Sequence, residues 1–517
     1  MIQEDDMRVS TQVRWSVRLV VTAGVIAGAS LTIPVVADAS VASPIANGAG
    51  HGTNSTVVSP LMYIVSEGSL CSSTCVTNVT SDADWILKNQ DASGWIGMAP
   101  PTTTTGLLIQ PYAAAYASMG LSDAFGATET TAYDTAAWNW LAWDKAQMAA
   151  NAPLTSGQLK TCSTQDVANI ESPTSNVSCF YTPAYCANIA AGVTAYPYGA
   201  NDARSCTGVA GLNYAPVVES YPNSSVTHPF MDSTDATAGM FLVALQAAYN
   251  NELSAPGAGA TNRTRAVNML ASLNTLVPSC RTTTCGTDVI NEAVIAIHST
   301  LDTDGLTWAQ PWYQAKYLED LSETYAGLRA AANLESVLAS STSSSSQRTA
   351  ESAIGSQASA MASAMSTAVN NLWSATASTG GAGYGWAVFP SGYVQQTNWT
   401  NPSGSTNQIY SDPQQNAWAA MWGIASATNA ASVTSTFDAT FGPNATTASA
   451  YWNFPTPSGA YPSPLYWVGV FNAINGNASV ASTAVAQENS IYQATRTWQY
   501  EPEDAGMAIW AEILTGV

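Results

Sequence analysis

The strongest constraint on the fold of this chain is an alternation of two kinds of helical segment. One kind is amphipathic, as in residues 266–276, where polar residues occupy one face. The other kind is apolar nearly all round, as in residues 236–245. A helix without a polar face is buried on most sides, whereas an amphipathic helix covers a core with one face. The alternation therefore predicts an all-α protein with an inner and an outer set of helices.

The six apolar segments begin in similar ways. Each start has a proline at the first helical position, or acidic and hydroxyl side chains beside it: Gln110-Pro111, Asp232–Asp235, Gln310-Pro311, Asp412-Pro413, Ser463-Pro464 and Glu501-Pro502. Proline loses no useful donor there, and the polar side chains satisfy or complement the free N–H groups. We expect these helices to run through residues 121, 249, 328, 425, 474 and 514.

Short connectors rich in glycine and tryptophan precede three of the apolar helices. They are residues 94–96, 305–308 and 383–386, and the sparse strand signals lie in such connectors. No long Pro-rich or Gly-rich linker divides residues 75–517, and the serine-rich run 340–346 is short enough to be a loop. We therefore predict a single domain over 75–517, built as a closed ring of six helical hairpins. An irregular insertion is expected at about 152–227, which is rich in Pro, Ser and Tyr.

This arrangement resembles the six-hairpin glycosidases, whose fold is an (α/α)6 toroid. The resemblance covers residues 75–517 and rests on the helix alternation, the Gly-Trp connectors and the Pro- or Asp-opened inner helices. No motif identifies one glycosidase family. The resemblance implies a glycoside hydrolase whose site lies where the N-termini of the inner helices converge.

Carboxyl groups at those helix starts are the candidate catalytic residues, because glycoside hydrolysis needs one carboxyl as acid and another as base or nucleophile. Asp232 and Asp235 are the first choice, with one as general base and its neighbour tuning it. The alternative is structural, with Asp232 as N-cap and Asp235 as its partner in a capping box.

Asp320 and Glu323 form the second candidate pair, on the predicted helix 316–323. A buried carboxyl there would have a raised pKa and could serve as the acid. The alternative is an ion pair of Lys316 with Asp320 or Glu319, at helical spacing. Asp412 is the third candidate, with helix capping as its alternative role. Asp302 and Asp304, which precede Gly305, are predicted to form a turn.

Aromatic residues in the connectors and at helix starts are candidate sugar-binding residues, because flat rings pack against the apolar faces of sugars. They are Trp95, Trp308, Trp312, Trp386, Tyr410 and Trp452. The alternative is that these rings only pack the connectors onto the helix ends. We predict no metal and no cofactor, because the three histidines are scattered and no CxxC occurs.

The N-terminus has the pattern of a secretory signal peptide over residues 1–39. Arginines at 8, 14 and 18 precede an apolar stretch from Leu19 to Val36, and Ala37-Asp38-Ala39 offers a cleavage site. A retained membrane anchor is the alternative, because the apolar stretch is long. We predict a secreted, extracellular protein without a membrane segment after cleavage, in which residues 40–74 form an irregular leader.

All eight cysteines follow the predicted cleavage site, and an even number in an exported chain indicates disulfides. We expect local pairing: Cys71–Cys75, Cys162–Cys179, Cys186–Cys206 and Cys280–Cys285.

The charge balance restricts the partners of this protein. The chain has 14 basic and 35 acidic residues, a net charge of −21, and only 9% charged residues. Such a balance argues against binding nucleic acid, which requires basic patches. A polar but weakly charged surface changes little when carboxylates protonate, so we expect stability to stay flat from neutral pH down to about 3.

Together these features predict a monomeric, secreted glycoside hydrolase that cleaves an extracellular poly- or oligosaccharide with two carboxyls. One alternative is a non-catalytic carbohydrate-binding or cell-surface protein. The second is a polysaccharide lyase, which the shortage of basic residues for uronate binding disfavours.

Overall fold

The computed structural model of the protein describes thirteen ranges of the chain. They are residues 71–97, 111–150, 233–254, 260–276, 287–309, 315–376, 378–389, 392–399, 412–441, 454–456, 459–461, 465–492 and 501–517. The part described is mostly helical, which confirms the predicted all-α class.

Thirteen helices lie in these ranges. They are α1 (Ser73–Asn89), α2 (Pro111–Thr128), α3 (Thr131–Ala150), α4 (Thr234–Ser254), α5 (Ala260–Leu273), α6 (Val289–Thr300), α7 (Leu318–Ser341), α8 (Ser345–Asn370), α9 (Asp412–Met421), α10 (Ala427–Thr440), α11 (Tyr466–Ile474), α12 (Ala478–Tyr492) and α13 (Pro502–Thr515).

Short strands lie between the helices. They are β1 (Lys316–Tyr317), β2 (Trp373–Ser374), β3 (Gly383–Val388), β4 (Val394–Gln396), β5 (Phe454–Thr456) and β6 (Gly459–Tyr461). Strands β1, β2 and β4 each pair antiparallel with β3, and β5 pairs antiparallel with β6. Lys316 pairs with Val388 and Trp373 with Tyr384, so β3 joins the connectors before α7 and α9.

Six helices, α2, α4, α7, α9, α11 and α13, form the inner set. Each contacts the next in this order, and α13 contacts α2. Every side chain of α4 from Thr234 to Tyr249 is buried, as expected for a helix that is apolar nearly all round.

The other helices cover the inner set from outside. Helix α1 packs on α2 and α13, α3 on α2, α5 and α6 on α4, α8 on α7, α10 on α9, and α12 on α11 and α13. Helix α8 shows the amphipathic pattern, because it buries Ile354, Ala358, Met361 and Met365 at intervals of three or four residues.

Pairs of glycines let two inner helix pairs cross with their backbones in contact. A Cβ built on Gly327 of α7 would lie 2.3 Å from the Cα of Gly239 on α4. A Cβ on Gly120 of α2 would lie 2.6 Å from the Cα of Gly506 on α13. No side chain fits at such distances, so these four positions require glycine.

The start of α7 differs from the sequence prediction. The helix begins at Leu318 rather than after Pro311, because Lys316 and Tyr317 are extended and pair with β3. Lys316 therefore has no helical neighbour at i+4, and the predicted pairing with Asp320 or Glu319 is wrong. Its ammonium binds the carboxylates of Asp302 and Asp304 at 2.9 and 2.6 Å. The predicted loop between α7 and α8 is confirmed, reduced to residues 342–344.

The Cys71–Cys75 disulfide is confirmed, with the two Cα atoms 5.1 Å apart at the start of α1. The signal peptide, the insertion and the other six cysteines lie outside the described residues, as do Asp232, Trp312, Tyr410 and Trp452. Within the described ranges, no helix has both the length and the apolar character needed to cross a membrane.

Candidate active site

Asp235 lies in the first turn of α4 and is fully buried. Its Oδ1 accepts hydrogen bonds from the Ser233 hydroxyl at 2.6 Å and from the Ala236 backbone N–H at 2.9 Å. Its Oδ2 accepts one from the Thr307 hydroxyl at 2.5 Å. Both carboxyl oxygens are therefore held by donors, an arrangement that favours the charged form.

The Thr307 contact comes from the connector between α6 and α7. Asp302 and Gly305 form the predicted turn, in which Gly305 adopts a positive φ of 86° and its N–H binds the carbonyl of Asp302. The connector then packs on the start of α4, where the Thr234 N–H donates to the carbonyl of Ala309 at 2.6 Å. A neighbouring hairpin thus positions the Asp235 carboxyl.

Glu323 lies on the second turn of α7 and is also fully buried. Its Oε1 accepts hydrogen bonds from Tyr112 at 2.6 Å, from Trp418 Nε1 at 2.9 Å, and from the Tyr116 hydroxyl. Its Oε2 has no hydrogen-bond partner among the described residues. The three donors come from α2 and α9, so the Glu323 carboxyl joins three inner helices.

The two carboxyls influence each other. Burial raises the pKa of Asp235 to about 6, against the opposing effect of its donors. Burial also raises the pKa of Glu323 to about 7, and the negative charge of Asp235 adds to this increase. Near neutral pH, one carboxyl of the pair can be ionised while the other holds a proton, which is what acid–base chemistry requires.

The glycine crossings explain why these groups meet. Asp235 precedes Gly239 by four residues, and Glu323 precedes Gly327 by four. Four residues are about one helical turn, so each carboxyl-bearing residue lies within one turn of the contact between α4 and α7. The backbone carbonyl oxygen of Glu323 is itself in that contact, 2.7 Å from a Cβ built on Gly239. Tyr116 has the same relation to Gly120, where α2 crosses α13.

Further carboxyls act on this site from the neighbouring helix starts. The charge of Glu503, on the first turn of α13, contributes to the raised pKa of both Tyr112 and Tyr116, although burial is the largest cause. Glu501, just before α13, has its pKa raised to about 7 by burial. The site is therefore acidic on the side of α13.

The other predicted carboxyls are placed differently. Asp412, at the start of α9, accepts a hydrogen bond from the Asn398 backbone N–H at 2.9 Å and so ties the β4 connector to the helix. Asp320 is half-buried on the first turn of α7. Neither is among the residues that hydrogen-bond to Asp235 or Glu323.

The connector tryptophans have packing partners. Trp308 is 7% exposed, and the Lys316 ammonium lies 4.1 Å from the centre of its ring. Trp386 stacks on Tyr317 with ring centres 6.2 Å apart and an interplanar angle of 14°. Trp95 is 8% exposed. These contacts agree with the packing alternative for Trp308 and Trp386, and sugar binding by all three remains a prediction.

Sequence reasoning missed four residues of the site: Tyr112, Tyr116, Thr307 and Trp418. Tyr112 and Tyr116 had a usable signal, because they lie four residues apart immediately after Gln110-Pro111, at a predicted inner-helix start. Trp418 lies within an apolar inner helix, where a tryptophan is expected to be core; its ring is buried, but its N–H donates to Glu323.

Among the described residues, no group of three or more His, Cys, Asp or Glu side chains could hold a metal ion. The acid–base chemistry of two carboxyls requires none.

Comparisons with known proteins found structural matches only. No family model matches the chain, and no curated protein matches it. Among solved structures, it is similar to a wild-type glycosidase, with a TM-score of 0.40 and 12% identity over 86% of this chain and 99% of the other. A glycosidase variant in complex with glucose gives a TM-score of 0.37 with the same identity and coverage. Similarity at this level identifies neither a family nor an activity.

Proposed function

We propose that this protein is a glycoside hydrolase in which Glu323 is the general acid and Asp235 is the base or nucleophile. One observation carries the proposal. Two buried carboxyls on adjacent inner helices interact: burial raises the pKa of both, and the negative charge of Asp235 adds to the increase at Glu323. Two interacting carboxyls, one of which can hold a proton while the other is ionised, are the pattern of acid–base glycoside hydrolysis.

The hydrogen bonds assign the roles. Both oxygens of Asp235 accept hydrogen bonds, which stabilise its ionised form and suit it to the role of base or nucleophile. The charge of Asp235 raises the pKa of Glu323, and none of the described residues donates to Glu323 Oε2, so this atom can hold the proton and donate it.

The reaction follows from these roles. Glu323 transfers its proton from Oε2 to the glycosidic oxygen while the bond from that oxygen to the anomeric carbon breaks. Asp235 either removes a proton from an attacking water or attacks the anomeric carbon itself. In the first path the water forms the new bond to the anomeric carbon and the configuration is inverted. In the second path the sugar is bound to Asp235 as a glycosyl ester. A water that gives its proton to the ionised Glu323 then displaces Asp235, and this second inversion restores the original configuration.

We propose an (α/α)6 toroid as the architecture. The cyclic contacts of α2, α4, α7, α9, α11 and α13 support it, with the remaining helices outside. In such a toroid, the N-termini of α4, α7 and α13 share one face. This agrees with the electrostatic effect of Asp235 on Glu323 and with that of Glu503 on Tyr112 and Tyr116.

We propose an uncharged poly- or oligosaccharide outside the cell as the substrate. The carboxyls around the site disfavour anionic sugars by like-charge repulsion. The signal-peptide pattern of residues 1–39 and the Cys71–Cys75 disulfide support export. Export can be checked by sequencing the mature N-terminus, which we expect at Ser40; an uncleaved chain held in the membrane would contradict it.

The decisive experiment compares wild type, Glu323→Gln and Asp235→Asn on neutral polysaccharides and aryl glycosides between pH 3 and 7. We expect each variant to lose about 10²–10⁴-fold in kcat/KM on polysaccharide. Glu323→Gln should keep far more activity on a dinitrophenyl glycoside, because that leaving group needs no proton, whereas Asp235→Asn should not.

Glu335→Gln is the matched control, since Glu335 is a fully buried glutamate about three turns beyond Glu323 on α7, where the charges that act on it are those of Asp288 and Glu351. It should retain wild-type kcat/KM. A wild-type protein that binds glycans but cleaves none would overturn the proposal and favour a carbohydrate-binding protein.

A further inference from the structure

The hydrogen-bond donors around the Glu323 carboxyl are distributed unequally between its two oxygens. Three donors reach Oε1, and none of the described residues donates to Oε2. A carboxyl oxygen has two lone pairs, so three donors saturate Oε1. Trp418 Nε1 can only donate, which excludes a proton on Oε1 facing the indole.

The two tyrosines keep their own protons, and so can donate to the carboxylate, over the whole pH range in which Glu323 titrates. Tyr116 is buried and Tyr112 half-buried, and both hydroxyls bind the Glu323 carboxyl. Burial and negative charge raise their pKa values well above the ordinary value. Neither can therefore become an anion that would accept the Glu323 proton. Their rings pack edge to face, with centres 5.4 Å apart, which restricts both side chains.

We propose that Tyr112, Tyr116 and Trp418 are positioning residues that keep Glu323 Oε1 as an acceptor and so hold the transferable proton on Oε2. This inference rests on the proposed function. Three neutral donors determine which oxygen of Glu323 carries the transferable proton. The same donors limit the range of pH in which the Glu323 carboxyl is protonated.

The tyrosines and the tryptophan have a defined electrostatic effect. Each donor stabilises the carboxylate more than the neutral acid, so each lowers the pKa of Glu323 against the larger effect of burial. Removing one donor should raise that pKa by about one unit, because hydrogen bonds to charged groups are the strong ones. The alkaline limb of the pH–rate profile should move upward by the same amount.

The experiment measures pH profiles of kcat/KM for Tyr116→Phe and Tyr112→Phe. Tyr384→Phe is the matched control, because the Tyr384 hydroxyl is also buried and hydrogen-bonded, but to Asn370 and Asn429. We expect the alkaline limb to shift in the first two variants and to stay in place in the control.

A second measurement is independent of activity. The carboxyl C=O stretch of Glu323, identified by its loss in Glu323→Gln, can be titrated by difference infrared spectroscopy in each folded variant. An upward shift in Tyr116→Phe supports the proposal even if the chain cleaves no glycoside. An unchanged titration of Glu323, or a rise in KM with an unchanged pH profile, overturns it.

Discussion

At the residue scale, the donors around a carboxyl decide its chemistry more than its position in the chain. Asp235 and Asp412 are both buried aspartates at the start of inner helices. The Asp412 carboxyl accepts a hydrogen bond from a backbone N–H of its connector, whereas the negative charge of Asp235 raises the pKa of Glu323. Similar sequence contexts thus lead to a structural contact in one case and a candidate reactive group in the other.

Thr307→Val tests the role of the hydroxyl that binds Asp235 Oδ2. Losing this donor should raise the pKa of Asp235 above its value of about 6, by about one unit. A base must be ionised, so the acidic limb of kcat/KM should move to higher pH. Thr434→Val is the control, because the hydroxyl of that buried threonine donates to the carbonyl of Ala430 within α10. Equal pH profiles for the two variants would contradict the prediction.

At the element scale, close helix crossings place the reactive groups. The glycines that allow α4 to touch α7 lie one turn after Asp235 and Glu323, so the distance between the carboxyls depends on the closeness of that crossing. The connector before α7 adds a second constraint through Thr307. The α4–α7 crossing and the connector before α7 therefore both fix the position of the Asp235 carboxyl.

Gly327→Ala should lower the free energy of unfolding by about 2 kcal/mol or more, because its Cβ would overlap the backbone of Gly239. It should also reduce kcat/KM by separating the carboxyls. Gly355→Ala is the control: its Cβ would meet Glu335 Cβ at 3.2 Å, and alanine is the better helix former by about 1 kcal/mol. Urea unfolding measures the free energy of unfolding of both variants. Similar losses of stability in the two would contradict the argument that the α4–α7 crossing requires glycine.

At the scale of the whole molecule, the fold buries many carboxyls away from cations. Burial raises the pKa of Asp123, Asp144 and Glu488 to about 8 and that of Glu335 to about 9. The entire chain contains only 14 lysines and arginines to compensate 35 acidic residues. The folded protein therefore binds protons that the unfolded chain releases at about pH 4.

This burial changes the expected dependence of stability on pH. A raised folded pKa contributes stability that is complete below the unfolded pKa and is lost as pH rises through the folded value. We expect the highest melting temperature near pH 4 and a decline up to about pH 9, with each group contributing at most about 1.4 kcal/mol per pH unit. The flat curve predicted from surface composition neglected these interior groups.

Thermal unfolding at pH 4 to 9 measures this decline. Asp144→Asn should reduce its slope, because an amide has no proton to lose. Asp91→Asn should leave it unchanged, because the pKa of Asp91 is lowered by hydrogen bonds from Ser93 rather than raised by burial. Stability that increases from pH 4 to 9 would refute the expectation.

The sequence by itself determined the features that depend on near neighbours along the chain. The apolar and amphipathic periods, the Pro and Asp helix starts and the Asp302 turn are local, so helix content and the candidates Asp235 and Glu323 could be predicted. The start of α7 could not be predicted from the sequence, because Lys316 and Tyr317 are extended only through their pairing with β3.

Only the tertiary structure decided which of the candidate carboxyls meet. Tyr112 and Glu323 are 211 residues apart in sequence, and no local pattern relates them. Their contact requires the inner helices to pack side by side, and the Gly239–Gly327 crossing brings Asp235 into the same region. Desolvation depends on all of these neighbours together, so the pKa differences that distinguish an acid from a base arise only in the packed molecule.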